Sequence, residues 1–174
     1  MAQVNRTQTL EQVYQRRARQ LAERPAAETE SATLGVLVFA LGTERYAIEL
    51  SHLSEVLPHR ECTAVPGAPP ALLGVINVRG DIQPVVDLRR LLDLAPGTLA
   101  TGYVLMLRDQ DRQIGIRVDN VEEVRQIDPV RLTTADGTAI AGARFVKALT
   151  ADTVMLLDAR AALAQLGIKP IGDC

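Results

Sequence analysis

From Leu34 onward the apolar positions fall into short runs and two-residue alternations, the texture of strands rather than helices. Val36, Leu37, Val38 and Phe39 form an apolar run, Leu41-Gly42-Thr43-Glu44-Arg45 reads as a turn, and Tyr46, Ile48 and Leu50 alternate with smaller or polar residues. This predicts a β-hairpin. Ala71 to Leu88 predicts another, with strands at Leu73–Val78 and Ile82–Val86 around a turn at Arg79-Gly80-Asp81. Pro84 sits inside the second strand, and a residue without an N–H predicts an edge position or a bulge there. Asp87 stands at the N-cap of a short helical turn over Leu88 to Leu92. Before Leu34 the pattern differs. Leu10, Val13, Tyr14, Arg17 and Leu21 share one face at helical spacing, Thr9 and Gln12 resemble a capping box, and Pro25 stops the run. The expectation is an amphipathic N-terminal helix followed by an Ala-, Glu-, Thr29- and Ser31-containing linker up to about Thr33.

The strand pattern repeats. A shift of 68 places Val36-Leu37 on Val104-Leu105, Ile48 on Ile116, and Glu55-Val56 on Glu123-Val124. After Ile76 the shift becomes 71: Asp81 meets Asp152, Asp87 meets Asp158, Arg89 meets Arg160 and Leu92 meets Leu163. Val85 and Val86 meet Leu156 and Leu157. Matched Asp and Arg positions are harder to obtain by chance than matched valines. Two halves of about 70 residues, each with about five short strands, predict two small β-barrels. Each half alone buries little apolar surface, so the two are expected to pack together.

Composition narrows the function classes. Hydrophobic residues make up 47% and charged residues 23%, with a formal net charge of -2. That balance lacks the basic footprint of a nucleic-acid binder. No apolar run approaches the roughly 20 residues needed to span a bilayer, and the Gln-, Arg- and Glu-rich start does not resemble a secretory signal. Cys62 and Cys174 are the two cysteines, the second at the very end, so a reducing cytoplasm is expected and a structural disulfide is not. With no Trp, two Phe and three Tyr, the core must be built from Val, Leu, Ile and Ala.

Catalytic chemistry finds little support. His52, His59 and Cys62 lie close in sequence, but Glu61 is a poorly placed fourth ligand and structural zinc takes four in paired short spacings. Nothing marks an oxyanion site for a Cys62–His59 pair. The glycines at 35, 42, 74 and 80 are isolated rather than gathered in a phosphate loop. Asp109 to Arg112 reads as a solvated hairpin turn, and adjacent Glu122 and Glu123 point to opposite faces of a strand. No enzyme activity, metal or cofactor is expected.

The repeat breaks at one place with chemical content. Thr150-Ala151 stands where the first half has Arg79-Gly80, and Pro66-Gly67-Ala68-Pro69-Pro70 has no clear counterpart. On local residues alone, Arg79 reads most simply as a solvent-facing turn arginine with Gly80 supplying a positive φ. The wider run changes that. V-P-G-A-P-P-A-L-L-G-V-I-N-V-R-G-D-I-Q-P-V-V-D-L from Val65 to Leu88 resembles the signature of the CheW-like family. So do F-A-L-G-T-E-R-Y-A-I-E-L-S-H-L-S-E-V from Phe39 to Val56 and G-I-R-V-D-N-V-E-E-V from Gly115 to Val124. The similarity covers about Leu34 to Leu166, with N-x-R-G, P-V-x-D-L and the E-V segment in the right order.

The resemblance implies a mainly β fold of two side-by-side five-stranded SH3-like barrels sharing an apolar seam. Expected boundaries are an N-terminal helix and linker at 1–33, a CheW-like domain at 34–166 and a tail at 167–174. Within the domain, barrel one is expected at about 34–95, barrel two at about 100–158 and a C-terminal helix at about 158–166. The implied function is a non-catalytic scaffold coupling chemoreceptor cytoplasmic tips to the regulatory domain of a CheA-type histidine kinase. Other CheW-like domains are further expected partners. The implied location is the cytoplasm, with recruitment to membrane-associated chemoreceptor arrays and no membrane insertion. An adaptor of a related pathway controlling pili, surface growth or second-messenger output is the alternative within the family. A small-ligand-binding or enzymatic tandem β-barrel is the alternative outside it. The resemblance carries Arg79 onto the family's signature arginine, Glu55 onto its acidic partner, and Leu53 and Val56 onto the receptor-facing groove. With Asn77, Val78 and Gly80 from the same motif, these seven residues form the expected partner-binding set.

Overall fold

The computed structural model describes residues 33–97, 101–109, 112–135 and 143–165. The expected N-terminal helix and the 167–174 tail lie outside the described residues. The strands are β1 (Leu34–Leu41), β2 (Glu44–Glu49), β3 (Leu53–Pro58), β4 (Leu72–Val78), β5 (Asp81–Asp87), β6 (Tyr103–Asp109), β7 (Arg112–Val118), β8 (Asn120–Ile127), β9 (Thr133–Thr134), β10 (Val146–Leu149) and β11 (Met155–Leu157). Two short helices, α1 (Leu88–Leu91) and α2 (Ala159–Gln165), follow β5 and β11. The first begins on the expected aspartate, Asp87, which accepts from the Arg89 N–H at 3.1 Å; its repeat counterpart Asp158 accepts from the Ala161 N–H at 2.9 Å. Among the described residues no helix is long and apolar enough to cross a membrane.

The strands form a six-stranded sheet, ordered β8-β1-β2-β11-β10-β9, and a five-stranded sheet, ordered β3-β6-β7-β5-β4. Each sheet therefore takes strands from both sequence halves, which corrects the expectation of one barrel at about 34–95 and another at about 100–158. The β1–β2 hairpin of the first half joins strands of the second, and the β6–β7 hairpin of the second joins strands of the first. The exchange is reciprocal. The antiparallel pair of β1 with β8 is matched by β6 with β3, and the parallel pair of β2 with β11 by β7 with β5. These are the partners that the shifts of 68 and 71 relate. Both hairpins carry the same apolar pattern, so pattern alone does not say which sheet each joins.

The period of two explains the apolar runs. Val36 and Val38 of β1 point into a cluster with Ala47, Val154 and Leu156 inside the six-stranded barrel. Leu37, Phe39 and Leu41 point the other way, into a cluster shared with Val86, Leu105, Leu107 and Ile116 of the other sheet. Val104, Met106 and Val85 form the interior of the five-stranded barrel. A strand covered on both faces reads as continuously hydrophobic, and the shared cluster is the apolar seam.

Pro84 is not on an edge, because β5 lies between β4 and β7. Pro84 pairs with Val75 of β4, while pairing with β7 begins only at Val85. Val75 spends its own N–H and C=O on Thr63 instead, at 2.9 Å each. The missing proline N–H thus faces the side of β5 where the ladder has not started, and no sheet bond is lost.

One ionic cluster, built on the buried Arg117 and the partly exposed Asp119 and Arg89, ties the halves together. The Arg117 side chain is fully buried and donates to Asp119 Oδ1 and to the Thr101 carbonyl, both at 2.7 Å. Asp119 Oδ2 accepts from Arg89 Nη2 at 2.5 Å and from the Gly42 N–H at 2.7 Å. Burial works against ionisation of Asp119, but the bonds from Arg89 and Gly42 outweigh it and hold the carboxyl below its ordinary value.

Candidate functional site

Strands β3 and β4 are the two edges of the five-stranded sheet. An open groove of about 430 Å³ lies between them. Glu55 and Leu57 of β3 form one wall, Ile76 and Val78 of β4 the other, and Arg79 and Ile82 close the end at the turn. The floor is apolar because Leu57, Ile76 and Val78 also pack on the barrel-interior cluster. Ile82 is 52% exposed.

The turn explains how Arg79 is aimed. Val78 pairs with Asp81, leaving Arg79 and Gly80 as a two-residue connection with φ of 58° and 101°. Two positive φ values in succession match the twist of a tight hairpin. Glycine adopts that conformation freely and arginine rarely does. The Asn77 Oδ1 accepts from the Gly80 N–H at 2.8 Å and locks the loop. Arg79 Nη2 then donates to Glu55 Oε1 at 2.9 Å, bridging one sheet edge to the other across the groove mouth. The Arg79 side chain remains 80% exposed, so most of its guanidinium donors face outward.

Of the seven expected residues, Glu55, Asn77, Val78 and Arg79 come together along this groove, and Gly80 shapes its turn. Leu53 and Val56 do not join them. Leu53 packs against the shared core. Val56 pairs with Leu105, a seam residue, and is exposed on the face of β3 opposite Glu55. Alternation along β3 carries this signal: Glu55 and Leu57 share one face, Ser54 and Val56 the other. Leu57, Ile76 and Ile82, which are not among the seven, also line the groove.

The other barrel also has an ion pair between the corresponding strand and turn, two residues away from the positions that match Glu55 and Arg79, with its charges reversed. Arg125 of β8 holds Asp152, in the β10–β11 turn, through two bonds at 2.8 and 3.2 Å. The Arg125 bond and a second from the Thr150 hydroxyl hold the Asp152 carboxyl well below its ordinary value. Here the strand supplies the cation and the turn the anion, whereas β3 supplies the anion and Arg79 the cation. The two barrels thus present chemically different ends.

Among the described residues no group of three or more His, Cys, Asp and Glu gathers as a metal site. Cys62 is a free, partly buried thiol packed against the barrel interior, and burial pushes it up. That direction is opposite to an activated nucleophile.

The family model described as CheW-like domain matches residues 35–166. The chain is 32% identical over 115 residues to the chemotaxis protein CheW of Helicobacter pylori, covering 63% of this chain and 70% of that one. It is 29% identical over 101 residues to CheW of Bacillus subtilis, covering 58% and 65%. Against CheW of Klebsiella aerogenes it is 30% identical over 105 residues, covering 60% and 63%. It spans less than two thirds of the length of the Bacillus and Klebsiella proteins. Among solved structures, the scaffolding protein TtCheW from Thermoanaerobacter tengcongensis superposes with a TM-score of 0.66 at 27% identity, covering 72% of this chain and 89% of that one. The two sheets correspond to the side-by-side SH3-like barrels expected from the sequence.

Proposed function

Because the chain belongs to the CheW-like family, we propose that it is a non-catalytic adaptor of chemotaxis signal transduction. In this reading it couples the cytoplasmic tips of chemoreceptors to the regulatory domain of a CheA-type histidine kinase. It works in the cytoplasm and reaches the membrane through the receptor array. The observation that carries the reading is the Glu55–Arg79 bridge over an apolar-floored groove. An amphipathic helix offers apolar anchors every three or four residues, and such a groove accepts them. An arginine that is already oriented by a carboxylate keeps donors for a partner's carbonyls or carboxylates. Nothing in the groove resembles a catalytic constellation, and its useful chemistry is recognition.

The test is to titrate the full chain with a receptor hairpin-tip fragment and, separately, with the kinase regulatory domain. Both should bind. Arg79→Ala removes an exposed pair that contributes about 0–1 kcal/mol to stability, so the melting temperature should barely move. Affinity for at least one partner should fall by about tenfold or more, equivalent to about 1.4 kcal/mol. Glu55→Lys should do similar damage, and the Glu55→Arg, Arg79→Glu double swap should recover part of it. Failure of the wild-type chain to bind either partner sinks the adaptor reading. Unchanged affinities in Arg79→Ala return this residue to a solvated turn.

A further inference from the structure

The two barrels differ along one strand edge. In the six-stranded sheet, β10 pairs with β11 through Val146–Leu157, Ala148–Leu156 and Leu149–Met155, with a register shift between Val146 and Ala148. In the five-stranded sheet, β4 pairs with β5 through Leu72–Val86, Gly74–Val85 and Val75–Pro84, with a register shift between Leu72 and Gly74. The shift of 71 relates the β5 and β11 partners, so Val75 stands where Leu149 does. The outer neighbours match as well: Thr133 of β9 pairs with Leu149, and Thr63 bridges Val75. Beyond that point the barrels diverge. β10 ends at Leu149, and the next residue already closes the turn, the Thr150 N–H donating to the Val154 carbonyl at 3.0 Å. β4 runs on through Ile76, Asn77 and Val78. Among the described residues, no strand pairs with its outer edge beyond Val75.

That edge carries open backbone groups. Val75 donates to and accepts from Thr63 at 2.9 Å each, so its N–H and C=O point away from β5. No register shift separates Val75 from Asn77, and backbone direction alternates along an antiparallel ladder. The Asn77 N–H and C=O therefore point the same way, along the open edge, and Asn77 lines the groove. Its side chain is engaged by the Gly80 N–H. Leu57, Ile76 and Val78 supply the apolar floor, and on the far side β3 is likewise a terminal strand. An apolar floor alone takes a helix or a strand. Open edge N–H and C=O groups select a strand, because a helix spends its own on internal bonds.

We propose that this groove takes an extended segment of a partner protein as an added strand beside Ile76–Val78, its backbone bonded to Asn77 and its alternate apolar side chains resting on Leu57, Ile76 and Val78. Strand addition draws affinity from main-chain bonds and specificity from the pockets that receive alternate side chains. Arg79 follows the end of β4 and keeps its outward donors for carbonyl or carboxylate groups of the segment. The strand mode rests on the recognition role proposed for the groove and fixes the form of the bound segment.

The experiment measures fluorescence anisotropy of a labelled peptide alternating Val and Thr against the full chain. The peptide contains no receptor or kinase sequence, so its outcome is separate from the titrations above. It should bind saturably. Of two counterparts, one N-methylated on the valines and one on the threonines, at least one should bind about tenfold more weakly. A helical peptide of equal length, with Leu on one face, should bind more weakly than the unmethylated strand. Asn77→Ala and Asn77→Pro both lose the side-chain bond to Gly80, but only proline lacks the edge N–H, so it should lose about tenfold more affinity. Hydrogen exchange in the wild-type chain gives a readout that needs no variant. The Asn77 amide should slow about tenfold under saturating peptide, while the Val75 amide, already bonded to Thr63, should change little. No saturable binding, equal affinity of all three alternating peptides, tighter binding of the helical peptide, equal affinity in folded Asn77→Pro and Asn77→Ala, or unchanged exchange at Asn77 would each overturn the proposal.

Discussion

Asp119→Asn tests whether the ionic cluster around Arg117 holds the two halves together. The substitution keeps shape and removes one negative charge from a carboxylate that two guanidiniums and one backbone N–H share. The decisive neighbour is Arg117, whose side chain has 0% exposure. Removing one partner of a buried charge costs about 3–5 kcal/mol, because the remaining ion loses an opposite charge in a poor dielectric. Arg117 retains its bond to the Thr101 carbonyl, and the asparagine oxygen still accepts one bond. The expected loss is therefore at the lower end, about 3 kcal/mol. With a urea slope of about 2 kcal/mol per molar, the unfolding midpoint should drop by about 1.5 M. Arg89→Met leaves the Arg117–Asp119 contact intact and should cost less. The Arg117→Met, Asp119→Leu double variant should recover part of the single-site loss, since an apolar pair replaces the ions without leaving one stranded. A loss below about 1 kcal/mol in Asp119→Asn would equal an exposed surface pair, and would refute the argument that Arg117 depends on this carboxylate.

The remaining predictions concern acid and backbone. Asp119, Asp152 and Glu49 all have folded carboxyls below their ordinary values. Their contribution is present above the unfolded carboxylate range and is lost as pH falls through the folded values. The urea midpoint should therefore decline below about pH 4, with a shallower decline in Asp119→Asn; an identical pH slope in that variant would exclude Asp119 as a source. Gly74 has φ of 148°, and an added Cβ would lie 2.3 Å from the Thr63 carbonyl oxygen. Gly74→Ala should thus disrupt the Thr63–Val75 bridge and lower the melting temperature, and hydrogen exchange at the Thr63 and Val75 amides should accelerate. Wild-type exchange at both amides would show that the strand edge yields without losing the bridge.

Periodicity in the sequence already determines most of the local structure. Val36 to Phe39 and Val104 to Leu107 are strands because branched and aliphatic side chains with two apolar faces need cover on both. Asp87 and Asp158 start helices because a short carboxylate meets the first free N–H groups. The turn at Arg79-Gly80 follows from glycine's tolerance of positive φ, and its link to Glu55 came from family resemblance rather than from spacing. Tertiary structure alone decided the rest. Exchange of the β1–β2 and β6–β7 hairpins is invisible in sequence because the repeat makes them interchangeable in pattern. Pro84 could be central only because the β7 ladder begins one residue later. Alternation already separates Val56 from Glu55 and Leu57, but which of the two faces meets Ile76 and Ile82 across a groove depends on which strands lie beside β3 and β4. The bonds of Asp119 are likewise a product of packing, because Arg89 and Gly42 of one half reach this carboxylate of the other only once the strands cross over.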